Sequence, residues 1–220
     1  MKIAAIIVCA GFGKRLGKPK ASILLAGKPL FYYSLKVFLA SGKIDEIILV
    51  LQKKHFKIAK KFIDSKRVIL AEGGQTRKDS VINGLKKIKK EIEYVLIHDG
   101  ARPFLKKELV LEVIKQLKKY PAVIPGIKVT DTLKQVDRGL VKKTLKRDNI
   151  FSIQTPQGFN KELIKNAYKK YRRIKVTDSA KIFAKTGQPI KMVEGDRFNF
   201  KLTHKEDLLI AEMIKKYGKI

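Results

Sequence analysis

Residues 3–20 read IAAIIVCAGFGKRLGKPK, and this N-terminal segment carries the strongest structural signal in the chain. Its first part, residues 3–9, is a continuous apolar run with the length and composition of a buried strand. Glycines and cations follow at once. Such a loop lets backbone N–H groups approach polyphosphate oxygens, and Arg15 and Lys20 supply positive charge. The segment therefore predicts a nucleotide site directly after the first strand.

A plain structural turn is the alternative for this loop, because glycine-rich turns after strands are common and a short glycine pattern alone favours neither interpretation. The loop lacks the Gly-Lys-Ser/Thr ending of a P-loop. Gly11, Gly13 and Gly17 also fit the Gly-x-Gly-x-x-Gly pattern of dinucleotide sites poorly. The basic residues favour phosphate binding, but at a site that is neither a P-loop nor an ordinary dinucleotide site.

The size of the chain limits its class. Its 220 residues suffice for one well-buried α/β domain, residues 1–220. No apolar stretch approaches the ~20 residues that cross a bilayer, and the N-terminal apolar run is too short for a secretory signal. We therefore expect a cytoplasmic protein without membrane association. The single cysteine, Cys9, ends the first strand and is expected to be a buried apolar residue rather than a nucleophile.

The formal charge of +30 first suggests a nucleic-acid-binding protein. However, the lysines are spread along the whole chain, mostly on the polar faces of predicted helices. No zinc-ligand spacing, aromatic stacking motif or helix-turn-helix signal accompanies them. We therefore expect no specific nucleic-acid partner, and a non-catalytic basic nucleic-acid-binding protein is a distant alternative. A gel-shift titration against salt would separate the two, because only such a protein binds duplex tightly with a steep salt dependence.

Apolar runs alternate with helical patterns over most of the chain. They predict strands at 3–8, 46–51, 68–71, 94–98 and 122–124, and helices at 30–39, 56–63, 80–88 and 108–120. Such alternation is typical of an α/β fold in which a mostly parallel sheet carries helices on both faces. Ligands of these sheets bind beyond the carboxyl ends of the strands, where the notable motifs of this chain fall.

The pattern changes between about 128 and 147. Two alternating segments flank Asp137-Arg138-Gly139 and predict a β-hairpin. Because the hairpin has little core of its own, we expect it to project as an arm that packs on a partner subunit. The chain then continues with helices around 161–171 and from near 178, a strand at 190–194 and a last helix at about 205–217.

Two further motifs follow predicted strands. Asp99 ends an apolar strand, where its carboxylate can reach a ligand hydroxyl or a Mg²⁺ ion held by phosphates. Capping the turn before Pro103, with pairing to Arg102, is an equal alternative, and His98 is interpreted as a structural hydrogen-bonding residue.

The second motif begins at Gly73-Gly74, where main-chain groups and Ser80 could read a nucleobase edge. A plain strand-to-helix connection is at least as compatible with that segment. We find no nucleophile, catalytic triad or metal-ligand cluster. That absence favours phosphoryl or nucleotidyl transfer, which depends mainly on cations that stabilise phosphate charge.

Taken together, these motifs resemble the 2-C-methyl-D-erythritol 4-phosphate cytidylyltransferases, the CTP-using enzymes of the non-mevalonate isoprenoid pathway. The resemblance covers nearly the whole chain in order, and its motifs are Ala10-Gly11-Phe12-Gly13-Lys14-Arg15 with Pro19-Lys20, Ala26-Gly27-Lys28-Pro29, Gly73-Gly74 to Gly84-Leu85, His98-Asp99-Gly100-Ala101-Arg102-Pro103, Thr130-Asp131-Thr132, Arg147-Asp148, Gln154-Thr155-Pro156-Gln157, Thr177-Asp178, Val193-Glu194-Gly195 and Asn199-Phe200-Lys201.

The resemblance implies a homodimer of Rossmann-like subunits that exchange hairpin arms, CTP and a polyol phosphate as substrates, and release of pyrophosphate. It implies Mg²⁺ as cofactor, held mainly by the CTP phosphates, with Asp99 as a candidate ligand. The implied site residues are Arg15 and Lys20 for catalysis, Ala10, Gly11, Gly13, Gly74 and Ser80 for the nucleotide, and Asp99, Arg102, Thr132, Arg147 and Lys201 for the acceptor, with Thr132 and Arg147 coming from the neighbouring arm.

A sister cytidylyltransferase that acts on ribitol 5-phosphate is the nearest alternative. Asp-Gly-Ala-Arg-Pro at 99–103 is closer to the Asp-Ala-Ala-Arg-Pro of the methylerythritol enzymes than to the Asp-Ala-Val-Arg-Pro of the ribitol enzymes. The chain departs from the family pattern at Ala21-Ser22, where Gln and an aromatic residue are common. It also departs at Ser179, where an acidic residue is usual, and at Cys9, where alanine is common.

Overall fold

The structure, a computed structural model, describes residues 1–174 and 176–218. The strands are β1 (Ile3–Val8), β2 (Leu24–Leu25), β3 (Lys28–Pro29), β4 (Glu46–Leu51), β5 (Val68–Glu72), β6 (Tyr94–Asp99), β7 (Ala122–Lys128), β8 (Leu133–Asp137), β9 (Leu140–Leu145), β10 (Phe151–Ile153), β11 (Gln157–Asn160) and β12 (Ile190–Glu194). The helices are α1 (Leu30–Ala40), α2 (Phe56–Lys60), α3 (Arg77–Lys87), α4 (Lys107–Leu117), α5 (Lys161–Lys170), α6 (Ser179–Phe183) and α7 (Lys205–Tyr217).

The main sheet has the order β10-β7-β11-β6-β1-β4-β5, and β12 also pairs with β7. β1 lies between β4 and β6 and is parallel to both, with Ile6 opposite Ile48 and Ile97. β5 continues the parallel set, and β12 is parallel to β7. β11 runs antiparallel to β6 and β7. The predicted mostly parallel sheet is therefore confirmed, with antiparallel pairs on one side of β6.

Helices cover both faces of this sheet, as predicted. On one face α1 and α4 bury Phe31, Phe38 and Val110 against β1 and β4. On the other, α3, α5 and α6 bury Val81, Phe183 and their neighbours. Strands that are buried on both faces need apolar side chains at every position. This requirement explains why continuous Val/Ile/Leu runs located β1 and β4 with the correct ends.

Several helices and strands differ from their predicted positions, in part because local contacts set where they begin. α3 begins at Arg77 rather than at 80, because Thr76 and Asp79 form a reciprocal capping box. α2 is shorter than predicted and follows a 3₁₀ turn, Lys53–His55. Neither β10 nor β11 was predicted, since β10 has three residues and β11 begins in a segment rich in Gln, Pro and Gly.

The predicted hairpin is confirmed as the pair β8–β9, which forms its own two-stranded sheet. Arg138 and Gly139 turn the chain with φ values of 47° and 81°. Val136, Leu140 and Val141 are exposed on it. Residue 128 belongs to β7, so the paired strands begin at 133, later than predicted. Across the described residues, none of the helices combines the length and the hydrophobicity that a bilayer crossing requires.

Candidate active site

The loop after β1 folds back on itself. Lys20 N donates to Gly11 O at 3.1 Å, which brings the end of the loop back to its beginning. Gly13 has a φ of +55°, and a Cβ there would lie 2.3 Å from Lys18 O. Only glycine meets both conditions without strain. The glycines therefore let the backbone of this loop come close to the space beyond β1.

That space is a cavity of about 380 Å³ at the carboxyl ends of β1 and β6. Its lining comes from the first loop, the end of β4, the β5–α3 connection, the end of β6 and the segment before α7: Val8, Ala10, Gly11, Phe12, Gly13, Lys20, Gln52, Gly74, Gln75, Thr76, Arg77, Ser80, Asp99, Ala101 and Lys201. The position is the one that ligands of open α/β sheets occupy. Eight of the twelve implied site residues line this cavity, although they come from separate segments of the chain.

The β5–α3 connection contacts the first loop directly. A Cβ on Gly73 would lie 2.1 Å from the Ala10 Cβ, so glycine permits this close approach. Ser80 Oγ accepts a hydrogen bond from Gly74 N at 3.1 Å and donates to Thr76 O at 3.0 Å. Ser80 thus holds the shape of the loop, which a plain strand-to-helix connection also requires. Its oxygen keeps a second lone pair for a ligand.

Asp99 is the centre of a cluster of cations. Arg77 Nε lies 2.8 Å from its Oδ1, Lys201 Nζ lies 2.7 Å from its Oδ2, and Arg102 Nε lies 3.9 Å from Oδ2. Burial by itself would raise the Asp99 pKa, but Arg77, Lys201 and Arg102 hold this pKa well below its ordinary value. The predicted pairing with Arg102 exists but is the longest of the three contacts.

The same contacts bear on Asp99 as a magnesium ligand. Both of its oxygens already accept a hydrogen bond from a cation. Throughout residues 1–174 and 176–218, no three His, Cys, Asp or Glu side chains are grouped to hold a metal ion. Mg²⁺ needs near-octahedral oxygen ligands at about 2.1 Å, and a carboxylate surrounded by cations does not fit that requirement. Asp99 is therefore unsuited to the ligand role expected from the sequence.

Lys20 and Arg15 both contact the segment that leads into α7. Lys20 Nζ donates to Leu202 O at 3.0 Å, and Arg15 Nη1 lies 3.4 Å from His204 Nε2. Burial, with a further contribution from the charge of Lys201, lowers the pKa of Lys20 to about 8. Lys20 and Lys201 thus bring two cations into the lining of the cavity, whereas Arg15 lies outside that lining, against His204.

Cys9 is a buried thiol, as predicted. Only 2% of the residue is exposed, and burial raises its pKa to about 12. A thiol that stays protonated at neutral pH is a poor nucleophile. The substitutions at Ala21 and Ser179 are also accommodated: Ala21 lies in the core below the loop, and the Ser179 hydroxyl accepts from Tyr168 Oη at 2.9 Å.

Thr132 and Arg147 lie at the base of the hairpin. Both belong to the described part of the chain, and neither lines the cavity. Arg147 donates to Thr130 O and is otherwise exposed. Within one subunit, therefore, the arm residues are not brought to the other implied site residues. Arg102, by contrast, is buried directly behind the cavity, and its Nη1 donates to Asn199 O at 2.7 Å.

Arg77 and Gln52 are two polar residues among the lining residues that were not assigned from the sequence. Arg77 was part of a quoted motif, and Gln52 Nε2 donates to Ala10 O at 3.1 Å. A usable signal existed for Arg77, because it follows a strand whose carboxyl end lies at the same sheet edge as Asp99. For Gln52 the signal was its place directly after β4, beside β1. Neither residue type is by itself diagnostic.

A glycine loop at the first strand of a Rossmann-like sheet, facing basic side chains and a buried carboxylate, is typical of the nucleotidyltransferases. The model of the 2-C-methyl-D-erythritol 4-phosphate cytidylyltransferase family matches residues 3–216. The chain belongs to this family, as the sequence motifs indicated.

Individual relatives agree with the family match. A 2-C-methyl-D-erythritol 4-phosphate cytidylyltransferase from Clostridium novyi (strain NT) is 42% identical over 97% of this chain and 96% of the relative. One from Caldicellulosiruptor bescii is 41% identical over 99% of both chains. The crystal structure of 4-diphosphocytidyl-2C-methyl-D-erythritol synthase from Anaerococcus prevotii DSM 20548 superposes with a TM-score of 0.89 and 36% identity, covering 98% of this chain and 96% of that one.

Proposed function

We propose that this chain transfers CMP from CTP to 2-C-methyl-D-erythritol 4-phosphate, giving 4-diphosphocytidyl-2-C-methyl-D-erythritol and pyrophosphate in isoprenoid precursor biosynthesis. The observation that supports this proposal most strongly is the arrangement of Lys20 and Lys201 at a cavity beside the glycine loop. Nucleotidyl transfer between two phosphates needs positive charge rather than a protein nucleophile. Family membership also favours an enzyme over the non-catalytic alternative.

In the proposed reaction, an oxygen of the acceptor phosphate attacks the α-phosphorus of CTP in line with the leaving group. The new P–O bond forms as the bond from the α-phosphorus to the bridging oxygen breaks, and pyrophosphate leaves with the electron pair. The acceptor and the triphosphate are both anionic, so cations are needed to bring them together. Arg15 and Lys20 stabilise the additional charge of the transition state.

The nucleotide is proposed to lie along the first loop, with the backbone of Ala10, Gly11 and Gly13 beside the phosphates and ribose. Gly74 and Ser80 would read the cytosine, since both residues line the cavity and Ser80 Oγ keeps a lone pair beyond its hydrogen bond with Gly74 N. A buried hydrogen bond to a base edge contributes to discrimination between bases, because the wrong base leaves a polar group unpaired.

The acceptor is proposed to bind at Asp99, Arg102 and Lys201. Each Asp99 oxygen has lone pairs beyond those used by Arg77 and Lys201, so it can accept a polyol hydroxyl. The ammonium group of Lys201 is close enough to Asp99 to be shared between the carboxylate and an incoming phosphate. Mg²⁺ is proposed to arrive on the phosphates of CTP, where it would neutralise charge on the departing pyrophosphate.

The hairpin arm is proposed to serve the site of a second copy of the chain. Val136, Leu140 and Val141 are each more than half exposed on the two-stranded sheet that β8 and β9 form by themselves. Exposed apolar groups on such a hairpin are suited to pairing with another arm. Thr132 and Arg147 at the base of the arm would then reach the acceptor site of the partner.

The test is pyrophosphate release from CTP, measured in parallel with 2-C-methyl-D-erythritol 4-phosphate and with ribitol 5-phosphate as acceptors. The Lys20→Ala variant provides the background rate. A clear preference in kcat/KM for the methylerythritol acceptor supports the proposal. Preference for ribitol 5-phosphate would identify the sister reaction, and no release with either acceptor would remove the cytidylyltransferase assignment for this chain.

A further inference from the structure

His98, the residue before Asp99 on β6, is fully buried and contacts two hydroxyl groups. Its Nε2 lies 3.0 Å from Ser34 Oγ on α1, and its Nδ1 lies 3.0 Å from Thr155 Oγ1. Each hydroxyl has a further backbone partner. The Ser34 hydroxyl donates to Arg102 O at 3.2 Å, and Asp99 N donates to Thr155 Oγ1 at 3.1 Å.

These contacts determine which ring nitrogen carries hydrogen. A serine hydroxyl has one hydrogen, and we assign that of Ser34 to Arg102 O, which can only accept; the contact with His98 Nε2 is then assigned to an N–H of the ring. Burial lowers the pKa of His98 to about 3, so the ring is neutral and its Nδ1 is an acceptor. Thr155 therefore donates to Nδ1. The predicted structural role of His98 thus acquires a defined tautomer.

The hydrogen bonds consequently form a chain with one direction. It runs from Asp99 N–H to Thr155 Oγ1, from Thr155 to His98 Nδ1, from His98 Nε2–H to Ser34 Oγ, and from Ser34 to Arg102 C=O. Both ends are backbone groups of one turn, which Arg102 N closes by donating to Asp99 O at 3.0 Å. Every member has a partner, which is the condition under which a buried polar network stabilises one geometry.

A second set of contacts holds the side-chain end of the same turn. Asn199 Nδ2 donates to Thr155 O at 2.8 Å, and Arg102 Nη1 donates to Asn199 O at 2.7 Å. Thr155 thus connects the backbone of Asp99 to the guanidinium of Arg102. A displacement at Thr155 or His98 would move both side chains together.

We propose that His98, as the neutral Nε2–H tautomer, is a positioning residue for the acceptor site, which it acts on by fixing the turn that carries Asp99 and Arg102. The proposal rests on the acceptor role given to those two residues above. His98 itself does not line the cavity described above and takes no part in the bond-making step. Ser34 and Thr155 are its partners in the same role.

The kinetic test compares Thr155→Val, Thr155→Ser and Ser34→Ala. Thr155→Val keeps the shape but removes the hydroxyl, and we expect the KM for the acceptor to rise roughly tenfold while the KM for CTP and kcat change by less than about twofold. Thr155→Ser restores the hydroxyl and should restore the KM. Ser41→Ala is the matched control for Ser34→Ala. Ser41 is also a buried serine, but it lies at the end of α1, where it donates to Phe38 O at 2.7 Å, away from the site.

The second test does not depend on activity. The chain has three histidines, so ¹⁵N-labelled imidazoles give a simple spectrum, and His98→Gln identifies the His98 signals. We expect the Nε2–H tautomer, without titration between pH 5 and 8, and a shift of the Nδ1 signal in Thr155→Val. An Nδ1–H tautomer, a protonated ring, or equal changes in both KM values in Thr155→Val would overturn the proposal. If Arg102→Ala leaves the acceptor KM unchanged, the acceptor site proposed above is wrong. The tautomer of His98, measured by NMR, still tests the hydrogen-bond chain in that case.

Discussion

Lys20 and Lys201 are adjacent cations with different partners. Lys201 pairs with Asp99, whereas Lys20 donates to the neutral carbonyl of Leu202. The charge of Lys20 is therefore available to an incoming phosphate at little cost in lost interactions. Positive charge that is already in place when a transition state forms requires no reorganisation at that moment, which is the condition for efficient electrostatic catalysis.

Replacing either catalytic cation should affect turnover more than nucleotide binding. We expect Lys20→Ala and Arg15→Ala each to lower kcat by about 10²–10³-fold, with a much smaller rise in the KM for CTP. Lys18→Ala is the matched control, since Lys18 is an exposed cation of the same loop. Steady-state kinetics with both substrates varied provides the measurement. A variant with wild-type kcat and only a raised CTP KM would show that its cation binds CTP without a catalytic role.

The pKa of Lys20 predicts an alkaline limb in the pH profile. Because this pKa is lowered to about 8, the ammonium group is charged at pH 7 and loses its proton as the pH rises. We expect kcat/KM for CTP, which reports the free enzyme, to fall above about pH 8. The limb of kcat should lie at higher pH, because bound triphosphate favours the charged form. Lys20→Arg should abolish the limb in whatever activity remains, and an unchanged limb there would assign it to another group.

The two glycine loops depend on each other. Gly73 allows the β5–α3 connection to approach Ala10, and Ser80 then fixes that connection to the first turn of α3. Capping by Thr76, worth roughly 1 kcal/mol in such helices, sets where this turn begins. The nucleotide side of the cavity is therefore formed where two loops meet. The distance between these loops depends on the absence of a Cβ at Gly73.

This close contact can be tested with a pair of compensating substitutions. Gly73→Ala would place a Cβ 2.1 Å from the Ala10 Cβ, so the loops must separate and the Kd for CTP should rise by at least about tenfold. Adding Ala10→Gly removes the opposing methyl group and should recover much of the loss. Isothermal titration with CTP measures both variants. If Gly73→Ala binds CTP normally while remaining folded, the contact does not shape the nucleotide site.

Within one subunit, the implied acceptor residues form two separate groups. Asp99, Arg102 and Lys201 are together, whereas Thr132 and Arg147 are on the arm, outside the cavity lining. A guanidinium binds two phosphate oxygens at once, so Arg147 suits an acceptor phosphate if a partner subunit brings it there.

Arg147→Ala should therefore raise the acceptor KM with little change for CTP, and Arg138→Ala at the tip of the arm is its control. Mixing Arg147→Ala subunits with Lys20→Ala subunits tests the partner contribution. If the site is shared, each heterodimer has one site with both residues intact, and activity should exceed that of either parent. Co-purification of the two variants through different affinity tags confirms that heterodimers form. A confirmed heterodimer without recovered activity would mean that each arm serves its own subunit.

The sheet and the first loop followed from local sequence. Strands buried on both faces need uninterrupted apolar residues, and β1 and β4 therefore had the predicted bounds. The ordered motifs also indicated the family. β11 carried no such signal, because Gln157 and Gly158 are poor strand formers whose place is decided by pairing with β6 and β7. The start of α3 likewise depended on a side-chain cap rather than on its apolar pattern.

The connections between site residues were decided by tertiary structure. Asp99 meets Arg77 and Lys201, which lie 22 and 102 positions away in the chain, and His98 meets Ser34 and Thr155, which lie 64 and 57 positions away. Hydrophobic periodicity and turn residues report the local conformation of the backbone. They do not indicate which distant side chains form a buried ion pair or a hydrogen bond, because such contacts depend on how whole helices and strands pack against one another.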